Sequence, residues 1–359
     1  MNIIVHIIAR DKFTAGYIEF MKICFPEYEH HFFTAASGFP INMFNYDNIH
    51  YYNHQREMFF NPSYRKLLRE CGKIIISGIW LSAKFKALML ASGLVRKTYI
   101  HFWGGDFYGW RNVRYSLIHP RRSIKKFLHH CLIRKCAGTI NLIDTDIEKL
   151  CEIFPNTTKH FTAPMKGSPR KKIDYEAARQ ELHQGSTFRI LAGNSAFPEN
   201  QHHMTFLALE HLKDANIEIL CPLSYGVPEY RDKVIAEGKR IFGDKFIPVT
   251  DYMDFSEYVR LLASCGAGVF SNDRQQGMGN ISILLRLGKK VYLRDDTSMW
   301  QHFTQNMKYV IYPVSELEGI TLEALVNFPA ELAYNNIQIA EEYAAGDQAI
   351  RQWRKVFQD

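Results

Sequence analysis

Short apolar runs alternate with stretches of helical periodicity along almost the whole chain, and this alternation limits the fold more than any other feature. In the first half the predicted strands are residues 3–8, 31–35, 73–77, 98–102 and 138–142, with helices such as 63–71 and 81–92 between them. In the second half the predicted strands are 188–192, 217–221, 246–249, 267–270, 291–293 and 310–311, with helices such as 228–241 and 255–263. Such alternation is typical of α/β proteins in which helices cover both faces of a parallel sheet.

The chain is long enough for two such sheets. Its 359 residues exceed the size of about 250–300 residues at which a single core usually divides. Residues 163–172 are rich in Pro, Gly, Ser and basic residues, which predicts a linker. We therefore predict two Rossmann-like domains, at 1–165 and 174–330, that face each other across a cleft. Residues 331–359 are predicted to be helical and to pack back toward the first domain.

Composition excludes several classes of protein. At 47% hydrophobic and 23% charged residues the chain is globular rather than disordered. The most membrane-like stretch, 74–95, carries Lys84 and Lys86 at its centre, each costing about 2.5–3.5 kcal/mol in a bilayer, so a buried strand and helix are expected instead. Seven scattered cysteines without a Cys-x-x-Cys pair favour reduced thiols in a cytoplasmic protein over a zinc site. The N-terminus begins directly with a predicted strand, and we expect no signal peptide.

A glycine-punctuated stretch at 271–280 follows one predicted strand and precedes a predicted helix at 281–287. Unpaired N–H groups and the helix dipole attract an anion at such a helix N-terminus. The residues that we assign to a diphosphate site there are Arg274, Gln275, Gln276, Gly277, Gly279 and Asn280. The alternative is an ordinary strand-to-helix loop that needs glycine for a positive φ.

Two more strand ends of the second array carry candidate donor-binding residues. Gly193, Asn194 and Ser195 follow the strand at 188–192 and predict another anion-binding turn. Tyr225 follows the next strand and either stacks on a base or sugar or belongs to a simple turn. The chain has no Asp-x-Asp pair, the usual carboxylate pair for a metal on a nucleotide diphosphate. We therefore expect no metal and no other cofactor.

The first array presents its reactive groups in residues 101–108, at the end of its fourth predicted strand. His101 and Asp106 flank a pair of glycines there, and either is a candidate general base. Asp106 is preferred, and Asp11 in the first loop is the remaining candidate. The alternative is that Asp106 caps a turn while His101 is a hydrogen-bonded core residue.

Residues 107–143 contain no Asp or Glu but eight Lys and Arg residues, which indicates an anionic partner. A helix predicted at 120–135 has one apolar stripe, formed by Ile124, Phe127, Leu128, Cys131 and Leu132. Its basic side is predicted to hold Arg122, Lys125, Lys126 and His129. A basic amphipathic helix of this kind can lie on an anionic membrane surface. The alternatives are a stripe that faces the protein's own core and a nucleic-acid-binding surface, although no nucleic-acid motif accompanies these residues.

Several of these motifs together resemble a known family, the lipid-linked 4-acetamido-4,6-dideoxygalactose (Fuc4NAc) transferases of enterobacterial common antigen synthesis, which form glycosyltransferase family 56. The resemblance covers nearly the whole chain. It rests on residues 101–108, on Arg114-Tyr115 with Pro120-Arg121-Arg122, on Gly193-Asn194-Ser195 and on residues 274–279.

The resemblance implies a GT-B architecture and a specific pair of substrates. The donor would be a dTDP-sugar, and the acceptor an undecaprenyl-diphosphate-linked oligosaccharide at the cytoplasmic face of the bacterial inner membrane. The residues expected to contact the membrane or the acceptor are Arg114, Arg121, Arg122, Lys125 and Lys126. Two other readings stay open: a GT-B transferase with a UDP or GDP donor for another surface glycan, and a nucleic-acid-binding module.

Overall fold

A computed structural model describes residues 3–38, 46–110, 118–155, 159–165, 167, 169, 173–180, 187–345 and 347–359. The chain divides into two compact units. The first unit comprises Met1–Lys172 together with Asp347–Asp359, and the second comprises Ile173–Gly346.

The first unit contains a seven-stranded sheet in the order β3-β2-β1-β4-β5-β6-β7, with every strand pair parallel. Its strands are β1 Ile3–Ile8, β2 Glu29–Ala35, β3 Ile49–Tyr52, β4 Lys73–Ser77, β5 Thr98–His101, β6 Gly138–Asn141 and β7 His160–Thr162. Its helices are α1 Thr14–Cys24, α2 Glu57–Phe60, α3 Pro62–Glu70, α4 Ala83–Ala91, α5 Gly105–Tyr108, α6 Pro120–Lys135, α7 Asp146–Ile153 and the last helix of the chain, α16 Gln348–Gln358.

Apolar residues cover both faces of this sheet, as a parallel sheet between helices requires. Alternate residues of β1 enter different cores: Val5 packs in one cluster and Ile4 in the other. The second cluster also contains Trp353 of α16, which is fully buried against Tyr17 and donates its indole N–H to the carbonyl of Pro164 at 3.0 Å. The C-terminal helix α16 is thus part of the hydrophobic core of the first unit.

The second unit contains a six-stranded parallel sheet in the order β10-β9-β8-β11-β12-β13. Its strands are β8 Phe188–Ala192, β9 Ile217–Pro222, β10 Phe246–Val249, β11 Ala267–Phe270, β12 Lys290–Leu293 and β13 Tyr312–Pro313. Its helices are α8 Tyr175–Gln180, α9 His202–Leu209, α10 Pro228–Phe242, α11 Phe255–Ala263, α12 Met278–Arg286, α13 Ser298–Trp300, α14 Leu322–Val326 and α15 Ala330–Ala345.

The predicted α/β class and the two parallel sheets are confirmed, while the predicted C-terminal segment 331–359 is divided between the units. Helix α15 belongs to the second unit, where Glu341 forms a salt bridge with Arg286 of α12 at 2.7 Å and Ala340 enters the core. Only α16 belongs to the first unit. The apolar groups of the two helices are therefore buried in different cores.

Candidate functional site

Each sheet has one topological switch point, the place between two neighbouring strands where the chain reverses its direction of progress across the sheet. In the second unit the switch lies between β8 and β11, and in the first between β1 and β4. Ligands of open α/β sheets bind in the crevice at the carboxyl ends of the strands at such a point. The loops after these four strands are therefore where candidate side chains matter most.

The loops after β8 and β11 are joined in the second unit by a buried network of amide side chains. Three amides donate to the hydroxyl oxygen of Ser195: Asn194 at 3.2 Å, Asn200 at 3.1 Å and Gln276 at 3.1 Å. Asn194 also donates to the Tyr225 hydroxyl at 3.1 Å. Four predicted residues, Asn194, Ser195, Tyr225 and Gln276, are thus brought together, with Ser195 fully buried as their common centre.

Two glycines of these loops are required by their backbone conformation and surroundings. Gly193 has φ 68°, and a Cβ on it would lie 2.7 Å from Nε2 of His202. Gly277 has φ 70° and would place a Cβ 3.0 Å from the Asn194 side-chain oxygen. Both are left-handed conformations that favour glycine. Gly193 leaves room for the His202 side chain, and Gly277 allows the loop after β11 to approach Asn194 of the loop after β8 closely.

Gly277 is the N-cap of α12, and no side chain caps this helix. Its first-turn N–H groups have no intrahelical partners, as in every helix. A Cβ on Gly279 would meet no atom within 4 Å, so the first turn is open on that side. This helix start, next to Asn194, is where the predicted diphosphate site would lie.

Of the residues predicted to hold the diphosphate, two have other partners and a third is buried. Arg274 forms a salt bridge with Glu199 at 3.4 Å, its side chain is only 13% exposed, and its Nε is enclosed without a partner in the described part of the chain. Gln275 is buried. The Asn280 amide donates to the Tyr258 hydroxyl at 2.8 Å. The positive charge of Arg274 is therefore partly offset by Glu199 unless a ligand changes this pairing.

Sequence reasoning missed several members of this network. Asn200 accepts from the Asn194 backbone N–H at 2.9 Å, and Asn272 donates to Asn194 and Gln276, each at 3.4 Å. Burial lowers the pKa of His202 to about 4, so this imidazole is neutral at pH 7. In the sequence, a loop asparagine that is buried in a hydrogen-bond network looks the same as one that is exposed to solvent, so no signal identified Asn200 or Asn272.

In the first unit, His101 is fully buried at the end of β5. One ring nitrogen contacts the Ala163 carbonyl at 3.1 Å and the other the Ser77 hydroxyl at 3.4 Å. Burial lowers its pKa to about 4. Since both nitrogens are occupied inside the core, this geometry favours a positional role over the predicted proton transfer.

Asp106 lies in α5, 4% exposed. Its Oδ1 accepts the backbone N–H of Trp103 at 2.9 Å, and its Oδ2 accepts that of Ile79 at 3.3 Å. The carboxylate thereby joins the loop after β5 to the loop after β4. This geometry also favours a positional role over the predicted role as general base.

The third candidate, Asp11, occupies the loop after β1 and is partly exposed. Its Oδ1 accepts from the Phe13 backbone N–H at 2.8 Å and from the Thr14 hydroxyl at 3.1 Å. Burial raises the pKa of this carboxyl above its ordinary value. Of the three acidic or imidazole candidates, Asp11 is the one that a ligand can reach.

The basic helix α6 buries a different face from the predicted one. His129, Leu132 and Ile133 are buried, whereas Ile124 and Phe127 are 56% and 57% exposed. His129 accepts a hydrogen bond at 2.9 Å from the buried Lys86 of α4, and burial lowers its pKa to about 2. His129 was predicted to lie on the charged side of the helix, and this hydrogen bond places it in the core instead. As a result, the apolar side chains of the first two helical turns face solvent.

The exposed start of α6 therefore combines basic and apolar side chains. Arg121, Arg122 and Lys125 are exposed and Lys126 is half-buried, while Ile118 just before the helix is 85% exposed. Of the residues predicted to contact the membrane, Arg114 lies outside the described residues. The predicted alternative, a stripe that faces the protein's own core, holds only for the second half of the helix.

None of the helices described here has the length and apolar character needed to cross a bilayer. In the same part of the chain, no three His, Cys, Asp or Glu side chains are grouped so that they could hold a metal ion. Metal independence stays a prediction.

A family model described as "4-alpha-L-fucosyltransferase glycosyl transferase group 56" matches residues 24–346. Sucrose-phosphate synthase from Thermosynechococcus elongatus is similar in structure, with a TM-score of 0.69 and 12% identity over 99% of both chains.

Two further solved structures are similar to the chain over nearly the whole of their length. A structure described as trehalose-6-phosphate from E. coli bound with UDP-2-fluoro glucose has a TM-score of 0.66 and 10% identity, covering 99% of this chain and 98% of the other. An α,α-trehalose-phosphate synthase from Burkholderia vietnamiensis has a TM-score of 0.66 and 11% identity with the same coverage. At these identities the similarity concerns the fold, which is GT-B.

Proposed function

Because the chain belongs to glycosyltransferase family 56, it is a hexosyltransferase, and we propose that it transfers 4-acetamido-4,6-dideoxy-D-galactose or a related aminodeoxysugar from a dTDP donor. The proposed acceptor is an undecaprenyl-diphosphate-linked oligosaccharide of a surface polysaccharide. The proposal places the protein peripherally at the cytoplasmic face of the inner membrane, without a metal. The observation that carries it is the family match over most of the chain, together with an open helix start at the switch point of the second sheet.

The donor diphosphate is proposed to bind at the N-terminus of α12. Its negative charge would meet the free N–H groups of the first turn, and the amide network of Asn194 would border it. Tyr225, 39% exposed after β9, is the candidate for contact with the base or sugar. Since helix-terminal and amide groups would carry the diphosphate, we expect dTDP binding and transfer to persist in a chelator.

We predict that Gly279→Asp abolishes dTDP binding without unfolding the protein. A side chain fits at Gly279 because nothing lies within 4 Å of its Cβ position. An acidic residue in the first turn of a helix normally stabilises it, but here its charge would repel the diphosphate. A ligand at about 100 times its Kd adds about 2.7 kcal/mol to the free energy of unfolding, so a thermal-shift assay with dTDP, UDP and GDP measures the effect and identifies the donor class.

The control for this experiment is Gly279→Ala, which fills the same space without charge and should keep the dTDP shift. Arg274→Ala should weaken dTDP binding by about tenfold or more, the value of a hydrogen bond to a charged group. Glu199→Gln should have the opposite effect because it removes the carboxylate that pairs with Arg274. Unchanged dTDP affinity in Gly279→Asp would contradict the proposed site, and a larger shift with UDP or GDP would replace the donor.

The exposed start of α6 is proposed to dock on anionic lipid. Basic residues near a membrane surface contribute about 1 kcal/mol each, and the exposed Ile124 and Phe127 supply apolar area for the interface. We predict that reversing the charges of Arg121, Arg122 and Lys125 to Glu weakens binding to anionic vesicles by about 10²-fold or more. Co-sedimentation with phosphatidylglycerol-containing vesicles measures this binding.

A matched control reverses three exposed basic residues of the second unit, Lys233, Lys239 and Arg240 on α10. This variant has the same change in net charge and should keep vesicle binding. Replacement of Ile124 and Phe127 by Ser should weaken binding while leaving its dependence on salt. Equal loss in both charge-reversed variants would mean that net charge, rather than α6, governs the attraction.

A further inference from the structure

Three aromatic side chains lie in the loops at the carboxyl edge of the first sheet, around its switch point. Phe13 follows β1, Trp80 follows β4 and Trp103 follows β5. Trp103 makes edge-to-face contacts with both neighbours, at 5.9 Å to Phe13 and 5.7 Å to Trp80 between ring centroids. Phe13 and Trp80 are nevertheless 48% and 56% exposed. The three rings form a continuous aromatic platform that water reaches.

The backbone around the platform is held in place by specific contacts. The Asp106 carboxylate accepts the backbone N–H of Trp103 and that of Ile79, the neighbour of Trp80. Gly78, with φ 76°, leaves room for the Trp80 ring, which lies 2.1 Å from the position that a Cβ would occupy there. The conformation of both tryptophan loops thus depends on a buried carboxylate and on a glycine. Aromatic residues that were merely exposed on a surface loop would not need these contacts.

One polar group of the platform has no hydrogen-bond partner among the described residues. The indole N–H of Trp103 is enclosed and has no acceptor in the described part of the chain, and an unpaired buried donor costs about 1–3 kcal/mol. Large exposed aromatic groups with a polar handle are typical of ligand and interaction surfaces. The platform is therefore better explained by a bound molecule than by the packing of the unit itself.

One acidic and one basic side chain border the rings. Asp11 uses one carboxylate oxygen for Phe13 and Thr14, and its other oxygen has no partner among the described residues. Lys12 places its Nζ 5.1 Å from the centre of the Phe13 ring. A carboxylate beside the platform disfavours a bare phosphate, and the charged pair disfavours a prenyl chain. A sugar ring fits both features, because its C–H face packs on aromatic rings while its hydroxyls donate to a carboxylate.

We propose that the platform Phe13–Trp80–Trp103 and the Asp11 carboxylate bind one sugar ring of the acceptor. The ring lies against the tryptophans, and one hydroxyl donates a hydrogen bond to the second Asp11 oxygen. The inference rests on the proposed function in that it takes the acceptor to be a glycan. It assigns Asp106 as a positioning residue for the two tryptophan loops.

Saturation-transfer NMR tests the proposal, because it detects weak ligands and shows which protons contact the protein. The probes are glucose, N-acetylglucosamine and glucuronic acid, with dTDP and undecaprenyl phosphate micelles as separate arms. The full-length protein should transfer saturation to the ring protons of at least one sugar. Trp80→Ala, Trp103→Ala and Asp11→Asn should each lower this transfer at least threefold while keeping the signal of dTDP.

The substitution Asp11→Asn keeps an oxygen for the Phe13 N–H, so its loop should stay folded. The control is Tyr334→Ala, which removes an aromatic side chain that is 62% exposed in the second unit, and it should leave the sugar signal unchanged. No transfer to any sugar in a protein that binds dTDP would overturn this inference and leave the proposed function standing. Sugar binding without any nucleotide binding would do the reverse, and loss of only the undecaprenyl phosphate signal in the tryptophan variants would assign the platform to the lipid.

Discussion

Asp106→Asn is expected to lower kcat/KM for the acceptor by about 10²-fold, the scale of a misplacement of about 1 Å in a reacting site, and to leave dTDP affinity unchanged. Both carboxylate oxygens accept backbone N–H groups, from Trp103 and from Ile79. An asparagine has one oxygen, so its NH₂ group would face one of these donors. Leaving a buried N–H unpaired costs about 1–3 kcal/mol, and we expect the free energy of unfolding to fall by that amount. Steady-state kinetics and chemical denaturation of the same variant measure the two effects.

The kinetic pattern separates a positioning residue from a general base. A displaced tryptophan loop should raise the acceptor KM and alter the near-ultraviolet circular dichroism of the Trp80–Trp103 pair. Loss of a general base should lower kcat alone, by about 10²–10⁴-fold, with stability and acceptor KM intact; that pattern would restore the predicted role of Asp106. The matched control is Asp146→Asn, which changes a buried carboxylate that pairs with the Tyr108 hydroxyl instead of these loops.

Most of the fold followed from local patterns. Residues 74–76 and 267–270 are continuous apolar runs in central strands, because both faces of a parallel sheet are covered by helices. The patterns missed β3 and β7, the short edge strands of the first sheet. The strand predicted at 310–311 was wrong by two residues, since the edge strand β13 of the second sheet lies at Tyr312–Pro313. An edge strand has fewer apolar neighbours, so its sequence lacks the continuous run that identified the others.

The candidate donor site could be located from the sequence but not resolved into its contacts. Glycines at 193 and 277 marked the right turns, since positive φ and close loop approach leave few other choices. The pairing of Arg274 with Glu199 joins residues 75 positions apart, and no local pattern encodes such a partner. The same limit applies to α6, where Lys86 of another helix decides which face holds His129.

The aromatic platform shows a different limit. Phe13, Trp80 and Trp103 are far apart in the sequence and follow three different strands. None of the three gives a signal as a single residue, and only Trp103 lies in a motif that predicts a site. Their proximity follows from the strand order β1-β4-β5, which the sequence predicted only as far as two parallel sheets. Strand order is set by packing between distant segments. Strand order in turn decides which loops, and therefore which side chains, line each crevice.

Mild acid is expected to destabilise the first unit well before the second. Burial lowers the pKa of six histidines there, His6, His30, His50, His101, His129 and His130. In the described part of the second unit, His202 is the one histidine whose pKa is lowered. The folded pKa is about 4 for His30 and His101, whereas an unfolded histidine titrates near pH 6.5.

The sign follows from proton binding. Between pH 6.5 and about 4 the unfolded chain binds a proton at His30 and at His101 and the folded chain does not, so their contribution to stability is fully present above pH 6.5 and falls as the pH falls. The lowered pKa values of the other four histidines change stability in the same direction. Each fully buried histidine contributes at most about 1.4 kcal/mol per pH unit, and a typical domain has only about 5–15 kcal/mol in total. Hydrogen exchange at pH 7 and pH 5, corrected for intrinsic rates, should therefore show protection lost in β1, β4 and β5 but retained in β8 and β11. His101→Gln should reduce the loss in the first unit, and His202→Gln should not affect it. Equal loss of protection in both units would show that the buried histidines of the first sheet do not control its stability in acid.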